Sequence, residues 1–287
     1  MTEIFDNTAE FIYVNGEFRE YREFQREGAD SLNFEMPFSG PIIYEVVRFI
    51  DRKGVFLKDH YDRFAGSLKL AGIENHFSYE TYKEACRQLL KINKIRSNNL
   101  KLMYAMEEGE EQPLCLIYAS KSFYPDEKYY ENGVATAILG IERSTPNAKI
   151  NRSDYVEKIK SYREKKGVFE VLLKNSQGQL TEGSRSNLFF IKGNTVFTAP
   201  ADTVLEGVMR KYVFKVCDAL GICIDDSCPV GIDSLSEMDS AFLTGTSINV
   251  LPISHIEENI QYDTQNQVLL CIRRGFEERI VEEWQSN

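Results

Sequence analysis

The sequence lacks the features that mark membrane-spanning, secreted and nucleic-acid-binding proteins. No apolar run approaches the ~20 residues needed to cross a bilayer, and the acidic start lacks the basic and apolar stretches of a secretory signal. The 34 Lys and Arg against 44 Asp and Glu give a net charge of −10, which repels phosphate polymers and anionic lipid headgroups. These features argue against nucleic-acid and membrane partners and predict a cytoplasmic protein.

Cysteine and histidine are too sparse and too scattered for several familiar kinds of site. The six cysteines include no C-x-x-C pair, so neither a disulfide framework nor a zinc knuckle is indicated. The three histidines are not spaced as H-E-x-x-H. We therefore expect no metal site, and a Ser-His-Asp triad has little support.

The length and the periodic patterns predict two mixed domains. A chain of 287 residues with 43% apolar residues is globular and stands at the size where one core usually divides into two. Strand and helix patterns alternate on both sides of residues 121–133, which show no clear period. The fold class is therefore α/β (α+β), with a small N-terminal domain over residues 1–125 and a larger C-terminal domain over residues 126–287.

One strand and one helix of the first block carry candidate site residues. The β-branched stretch Ile42–Ile50 predicts a strand, paired as a hairpin with Val55–Leu57. Its alternation places Tyr44 and Arg48 on one face, where they would line a substrate pocket, and Glu45 on the other. Asp59 is suited to cap a helix that contains Arg63 and extends to about Leu70.

Two segments of the second block point to an anion. Thr203-Val-Leu-Glu206 has the pattern of a capping box at the start of a helix that Gly221 would end. The box predicts a helix N-terminus at Gly207-Val208-Met209, and such an end offers unpaired N–H groups and a partial positive charge to a phosphate. The apolar strand Ala241–Leu243 ends in the hydroxyl-rich Thr244-Gly245-Thr246-Ser247. An ordinary turn, with hydroxyls bonded to their own backbone, is the alternative interpretation of that loop.

Taken in order, these pieces resemble the class IV (fold type IV) pyridoxal-phosphate enzymes, which include branched-chain and D-amino acid aminotransferases and aminodeoxychorismate lyase. The resemblance extends from about Tyr44 to Ile253. It rests on Tyr44-Glu45-Val46-Val47 with His60-x-x-Arg63, on Arg143-x-x-Pro146-x-x-Lys149 ahead of Glu182-Gly-Ser-Arg-Ser-Asn-Leu-Phe189, on Leu205-Glu-Gly-Val-Met-Arg210, and on Phe242–Ile253.

The resemblance implies a two-domain fold type IV enzyme with pyridoxal 5'-phosphate as cofactor and a homodimeric assembly. It assigns Lys149 as the catalytic lysine that holds the cofactor and moves the substrate proton, and Glu182 as the carboxylate facing the pyridine nitrogen. Leu205 would pack on the ring. The phosphate would be bound by the side chain of Arg63, the backbone N–H groups of Val208 and Met209, and the hydroxyls of Thr246 and Ser247.

The implied reaction is transamination between an amino acid, branched-chain-like or D-amino-acid-like, and a 2-oxo acid. Two alternatives remain: an aminodeoxychorismate lyase that forms 4-aminobenzoate and pyruvate, and a cofactor-binding protein with little catalysis. The residues around 100–112 lack the R-x-H and Tyr-x-Arg patterns with which family members bind substrate carboxylates. Arg48, Lys101 and Arg185 are the candidates for the missing cation.

Overall fold

The computed structural model of the protein describes residues 9–26, 42–105, 113–142, 149–151 and 153–286. The chain divides into two compact units. Unit 1 contains Met1–Phe123, Ala148–Ser153 and Glu282–Asn287, and unit 2 contains Tyr124–Asn147 and Asp154–Val281. The segment that carries Lys149 therefore groups with unit 1, although it follows the predicted start of the C-terminal domain at residue 126.

Unit 1 is an antiparallel sheet with helices. The sheet has the strand order β2-β1-β6-β5-β3-β4, and β8 pairs with β3. Its elements are β1 Phe11–Val14, β2 Glu17–Glu20, α1 Tyr21–Arg26, β3 Ile42–Ile50, β4 Lys53–Gly54, α2 Leu57–Leu70, α3 Tyr79–Ile92, β5 Asn98–Ala105, β6 Leu114–Ser120 and β8 Ile150–Asn151.

The predicted alternation of β3 is confirmed, and it decides which side chains reach the core. Every second residue of β3, Glu45 among them, is buried, while Tyr44 and Arg48 are half-buried on the opposite face. Helix α2 packs on β3 and turns His60, Phe64 and Leu68 inward. The inward spacing of three and four residues is that of an amphipathic helix.

The predicted partner strand Val55–Leu57 and the predicted cap at Asp59 are both wrong. The strand that pairs with β3 is Lys53–Gly54, and α2 already begins at Leu57. Val55 and Phe56 are buried in the core, and the left-handed conformation of Phe56, with φ 52°, turns the chain directly into the helix. Burial of two apolar side chains has overridden the strand pattern.

Unit 2 is a larger mixed sheet with helices on it. The strand order is β13-β12-β11-β15-β16-β7-β9-β10-β14, and β10 also pairs with β11, which closes a ring of six strands. Its elements are α4 Glu127–Asn132, β7 Val134–Gly140, α5 Ser153–Lys166, β9 Glu170–Lys174, β10 Gln179–Gly183, β11 Asn187–Lys192, β12 Thr195–Thr198, α6 Val208–Leu220, β13 Cys223–Asp225, β14 Val230–Gly231, β15 Ser240–Gly245, β16 Asn249–Ile256, β17 Ile260–Gln261 and α7 Gln267–Ser286, of which the last residues belong to unit 1.

Alternation along β11 and β15 sorts their side chains onto two faces. Leu188 and Leu243 face each other in one apolar cluster. Phe189 and Phe242 stack on the other face with ring centroids 4.8 Å apart, and β15 contacts α6. Because side chains two residues apart share a face, the polar ends of both strands emerge on the side of the stacked rings. No helix among the described residues is both long and apolar enough to cross a membrane.

Candidate active site

In unit 1, the side chains of two lysines contact the aromatic ring of Tyr44. The Nζ atoms of Lys101 and Lys149 each lie 4.8 Å from the centroid of this ring. Lys101 lies on β5, opposite Val46 of β3. The side chains of Tyr44, Lys101 and Lys149 are all half-buried. Each ammonium group is within cation–π range of the tyrosine.

The backbone on both sides of Lys149 is bonded to unit 1. The Tyr44 N–H donates to the Lys149 carbonyl at 3.2 Å, and β8 continues this pairing with Ile42 and Ile43. The Lys149 N–H donates to Ser67 Oγ at 3.3 Å. Strand β3 and helix α2 thus fix the main chain that carries this lysine. Arg143 and Pro146 of the predicted spacing lie outside the described residues.

Behind Tyr44, on the inner face of β3, lies a buried ionic group that the sequence analysis did not assemble. Arg63 donates through Nε to Glu45 Oε2 at 2.8 Å and through Nη2 to Glu45 Oε1 at 2.6 Å. His60 Nδ1 lies 3.1 Å from the same Oε1. The side chains of Glu45 and His60 are fully buried, and that of Arg63 is 14% exposed.

The charges in this group determine its protonation states. Burial alone would raise the pKa of the Glu45 carboxyl, but Arg63 and His60 outweigh burial and hold that pKa well below its usual range. Burial lowers the pKa of His60, and Glu45 opposes that change. A neutral imidazole then donates from Nδ1 to the carboxylate, which leaves Nε2 as an acceptor. Nε2 is buried and has no hydrogen-bond partner among the described residues.

Arg63, the predicted phosphate ligand, is therefore oriented by Glu45. A guanidinium carries five N–H donors, and Glu45 accepts two of them. The sequence contained one sign of this pair: Glu45 is a charged residue at an inward-facing position of an apolar strand. Such a residue needs a partner, because an unpaired buried carboxylate is very costly.

In unit 2, Glu182, Asn187 and Leu205 form a connected buried group. Glu182 and Asn187 are cross-strand partners at the ends of β10 and β11. The Leu205 N–H donates to Glu182 Oε2 at 3.2 Å, and Asn187 Nδ2 donates to the Leu205 carbonyl at 2.8 Å. The segment before α6 is thus held to two strands of the closed ring. Glu182 and Leu205 were predicted site residues, whereas Asn187 was not assigned a role, although it lies in the motif from Glu182 to Phe189 that carries the resemblance.

Helix α6 begins at the predicted position, Gly207-Val208-Met209, but without the predicted capping box. It starts at Val208 with Gly207 as N-cap, and no side chain in the described part of the chain caps it. The Thr203 hydroxyl donates instead to the Pro200 carbonyl in a short 3₁₀ turn, and Glu206 is exposed. The predicted capping box is therefore wrong. The predicted end at Gly221 is confirmed, since that residue has φ 66°.

The hydroxyl-rich loop follows β15 next to this group in the same sheet. Thr244 lies opposite Asn187 and is buried, and its Oγ1 has no hydrogen-bond partner among the described residues. Thr246 and Ser247 follow in a half-buried turn. A row of polar side chains thus crosses three strands, from Glu182 through Asn187 to Thr244.

A second buried carboxylate holds the turn between β10 and β11. Glu170 accepts from Ser184 Oγ at 2.5 Å and from Ser186 Oγ at 3.2 Å. Arg185 Nε lies 3.9 Å from Glu170, and the Arg185 side chain is 62% exposed. This turn connects Glu182 to Asn187, so Glu170 acts on the geometry of that pair. No sequence pattern predicted a role for Glu170.

Substitution of Gly207 by alanine is expected to disturb this site. A Cβ at Gly207 would overlap Asn187 Oδ1, so the amide must move and weaken its bond to Leu205. Overpacking of this kind costs about 1–3 kcal/mol, in addition to the roughly 1 kcal/mol that alanine in place of glycine costs at an ordinary N-cap. Urea denaturation would measure the change.

Gly231 provides a matched control for this substitution. It is also an N-cap, its φ of −70° and ψ of 147° are close to the −67° and 139° of Gly207, and a Cβ there would meet nothing within 4 Å. Gly231→Ala is expected to lose only the N-cap contribution, so its free energy of unfolding should fall by about 1–3 kcal/mol less than that of Gly207→Ala. Equal losses in the two variants would show that the overlap with Asn187 carries no cost.

Residues 42–256 match the family described as amino-transferase class IV. The chain belongs to the class IV aminotransferase family. It is 27% identical to the D-alanine aminotransferase of Bacillus licheniformis over 254 residues, covering 80% of this chain and 88% of the relative. It is 25% identical to the D-alanine aminotransferase of Staphylococcus aureus (strain N315) over 284 residues, covering 94% and 98%.

The fold is shared with a solved branched-chain enzyme. The structure of a branched-chain amino acid aminotransferase from T.th., solved with pyridoxamine 5'-phosphate, matches with a TM-score of 0.81 at 23% identity, covering 96% of this chain and 95% of the other. The predicted family and the two-domain fold type IV class are confirmed. The protein is an aminotransferase of this class, and its aminotransferase function is the better supported of the alternatives weighed above.

Proposed function

We propose that the enzyme uses pyridoxal 5'-phosphate to move an amino group between an amino acid and a 2-oxo acid, with Lys149 as the catalytic lysine. The observation that carries the proposal is the position of Lys149 in a class IV aminotransferase. Its main chain is bonded to β3 and α2, and its ammonium group lies against the Tyr44 ring. A nucleophilic lysine must be held in place and partly shielded from water, and this arrangement provides both.

The polar groups of unit 2 fit the pyridine and phosphate parts of this cofactor. Glu182 is a buried carboxylate suited to a protonated ring nitrogen. The N-terminus of α6, which no described side chain caps, offers the N–H groups of Val208 and Met209 to an anion. The buried Thr244 hydroxyl lacks a partner within the described ranges. Leu205 is buried beside Glu182 and suited to pack on the ring.

Unit 1 offers its own groups to this cofactor. Arg63, oriented by Glu45, is proposed as a phosphate ligand. Thr246 and Ser247 of unit 2 are proposed as phosphate ligands by their hydroxyls. Tyr44 would position the Lys149 amine, and Arg48, on the same strand face, would line the substrate pocket. The bound cofactor supplies an electron sink that acidifies the substrate Cα–H. The Lys149 amine then takes up and returns this proton, as a general base and acid.

Borohydride reduction followed by peptide mapping tests the assignment of Lys149. Reduction of the cofactor-loaded enzyme is expected to place the pyridoxyl group on the peptide that contains Lys149. A label on Lys101, Lys158 or Lys160 would contradict the assignment. Unlabelled protein would contradict the covalent role of any lysine.

A panel of amino and 2-oxo acids, followed by cofactor absorbance, tests the reaction itself. Conversion of the bound cofactor to its amine form by an amino acid, and its reversal by a 2-oxo acid, is the expected result. Pyruvate released from aminodeoxychorismate without any acceptor would favour the lyase. No conversion with any amino acid would favour a protein that binds the cofactor with little catalysis. The homodimer implied by the resemblance and the cytoplasmic location predicted from the composition stay predictions.

A further inference from the structure

Three cations were candidates for binding the substrate carboxylate, and their positions differ sharply. Arg185 lies in unit 2, mostly exposed and 3.9 Å from Glu170. Arg48 shares a strand face with Tyr44 but lies four residues further along β3, which is about 13 Å at the rise of a strand. Lys101 contacts the same Tyr44 ring as Lys149.

We propose that Lys101 binds a carboxylate group of the substrate and so determines which amino donors the enzyme accepts. The inference rests on the proposed function, because it requires that the substrate amine reacts near Lys149. The Nζ atoms of Lys101 and Lys149 each lie 4.8 Å from one ring centroid. Their separation is therefore at most twice that distance, which is short enough for a substrate that reacts at Lys149 to extend a carboxylate to Lys101.

The electrostatics of the site favour an anion at this place. Burial lowers the pKa of the Lys101 ammonium, Tyr44 raises it, and Lys149 lowers it again. Two ammonium groups on one ring repel each other, and a carboxylate beside Lys101 would offset both the repulsion and the loss of hydration. The overall charge of −10 repels an anionic substrate, so attraction must come from a cation in the site.

The chemistry of lysine limits the form of this contact. An ammonium is a compact point charge, whereas a guanidinium donates two parallel hydrogen bonds to a carboxylate. Lys101 therefore supplies attraction without fixing the plane of the carboxylate. Both an α-carboxylate and a side-chain carboxylate fit this description, and the experiment separates them.

The test compares substrates that differ in their carboxylates. Wild type and Lys101→Met are loaded with cofactor and reacted with alanine, glutamate and ethylamine, and the rate of cofactor conversion is followed by absorbance. Loss of a charge-assisted hydrogen bond corresponds to about a 10- to 100-fold loss of kcat/KM. We expect that loss for carboxylate-bearing donors and little change for ethylamine, which lacks a carboxylate.

The pattern across donors identifies the carboxylate. A loss with both alanine and glutamate indicates the α-carboxylate, and a loss confined to glutamate indicates the side-chain carboxylate. Equal losses with all three donors, ethylamine included, would overturn the proposal. A carboxylate-specific loss in Arg48→Met, with none in Lys101→Met, would also overturn it. Lys101→Arg retains the charge and is expected to recover most of the discrimination.

Binding measurements separate this proposal from the proposed function. Calorimetric affinity for propionate and glutarate is expected to fall about 10- to 100-fold in Lys101→Met, even if the borohydride label is not found on Lys149. The exposed Lys91→Met serves as the matched control and is expected to retain wild-type affinity. Unchanged affinity for both acids in Lys101→Met would overturn the inference. If Lys101→Met does not fold, Lys101→Gln carries the same comparison.

Discussion

Glu45→Gln is expected to lower the free energy of unfolding by about 3–5 kcal/mol. The glutamine has nearly the same shape, but it removes the charge that Arg63 and His60 both face. The guanidinium would then be left as a mostly buried cation without its carboxylate. Removing one partner lowers the free energy of unfolding by more than the intact ion pair adds to it, because the remaining buried charge is no longer compensated for its lost hydration. Urea denaturation at pH 7 would measure the change.

The pair of Glu84 and Arg87 provides a control with the same chemistry at the surface. Arg87 donates through Nε and Nη2 to the two Glu84 oxygens, both at 2.8 Å, which matches the way Arg63 binds Glu45. Both side chains of the control pair are exposed. Surface pairs contribute little because water already solvates the charges, so Glu84→Gln is expected to be nearly neutral. Similar losses in the two variants would show that burial does not determine the cost.

The same pair predicts how stability depends on pH. The folded-state pKa of Glu45 is depressed from its ordinary value of 4.5, so the stability it contributes is present above pH 4.5 and is lost as the pH falls below it. His60 acts in the same direction. Because its folded-state pKa is lowered from 6.5, the unfolded chain takes up the proton more readily, and the free energy of unfolding falls as the pH drops below 6.5. In Glu45→Gln the stability should therefore depend less steeply on pH below 4.5 than in wild type. Parallel profiles would contradict the ionised state of Glu45.

Local chemistry predicted much of the fold. The dipeptide Asn15-Gly16 between two short apolar stretches predicts a two-residue hairpin turn, and these residues have φ of 45° and 104°. Ser78 ahead of an apolar helical period predicts a cap, and its hydroxyl accepts from the Thr81 N–H at the start of α3. Predictions failed where distant packing decides the outcome. Phe56 enters the core instead of a strand. The stretch predicted to be irregular contains α4 at Glu127–Asn132, which is too short to show a period.

The candidate site was predictable by residue type but not by partner. The resemblance to the class IV enzymes named Lys149, Glu182 and Arg63, whereas the chemistry of each residue alone did not distinguish it from a solvated surface residue. No spacing rule connects Glu45 to Arg63, 18 positions away, or Asn187 to the Leu205 carbonyl. Those bonds depend on which face of a strand meets a given helix or turn, and only tertiary contacts determine that.

Lys149→Ala is expected to reduce turnover by about 10²–10⁴-fold from the loss of proton transfer alone, and further because the covalent bond to the cofactor cannot form. The exposed Lys158→Ala is the matched control and should retain wild-type turnover. Steady-state rates with the preferred amino acid would measure both effects. Added ethylamine should restore part of the rate in Lys149→Ala, since a small amine can occupy the space of the lost side chain and carry the proton.

The position of Lys101 makes the Lys149 experiment decisive. Both lysines lie at the same distance from the Tyr44 ring, so proximity alone does not say which of them reacts. If Lys101 were the reactive lysine, Lys149→Ala would keep its borohydride label and Lys101→Met would lose it. The expected result is the reverse: the label is lost with Lys149, whereas Lys101→Met keeps the label and loses carboxylate affinity. The two lysines that contact the Tyr44 ring would then have different roles: Lys149 as nucleophile and base, and Lys101 as the positive charge that binds the carboxylate.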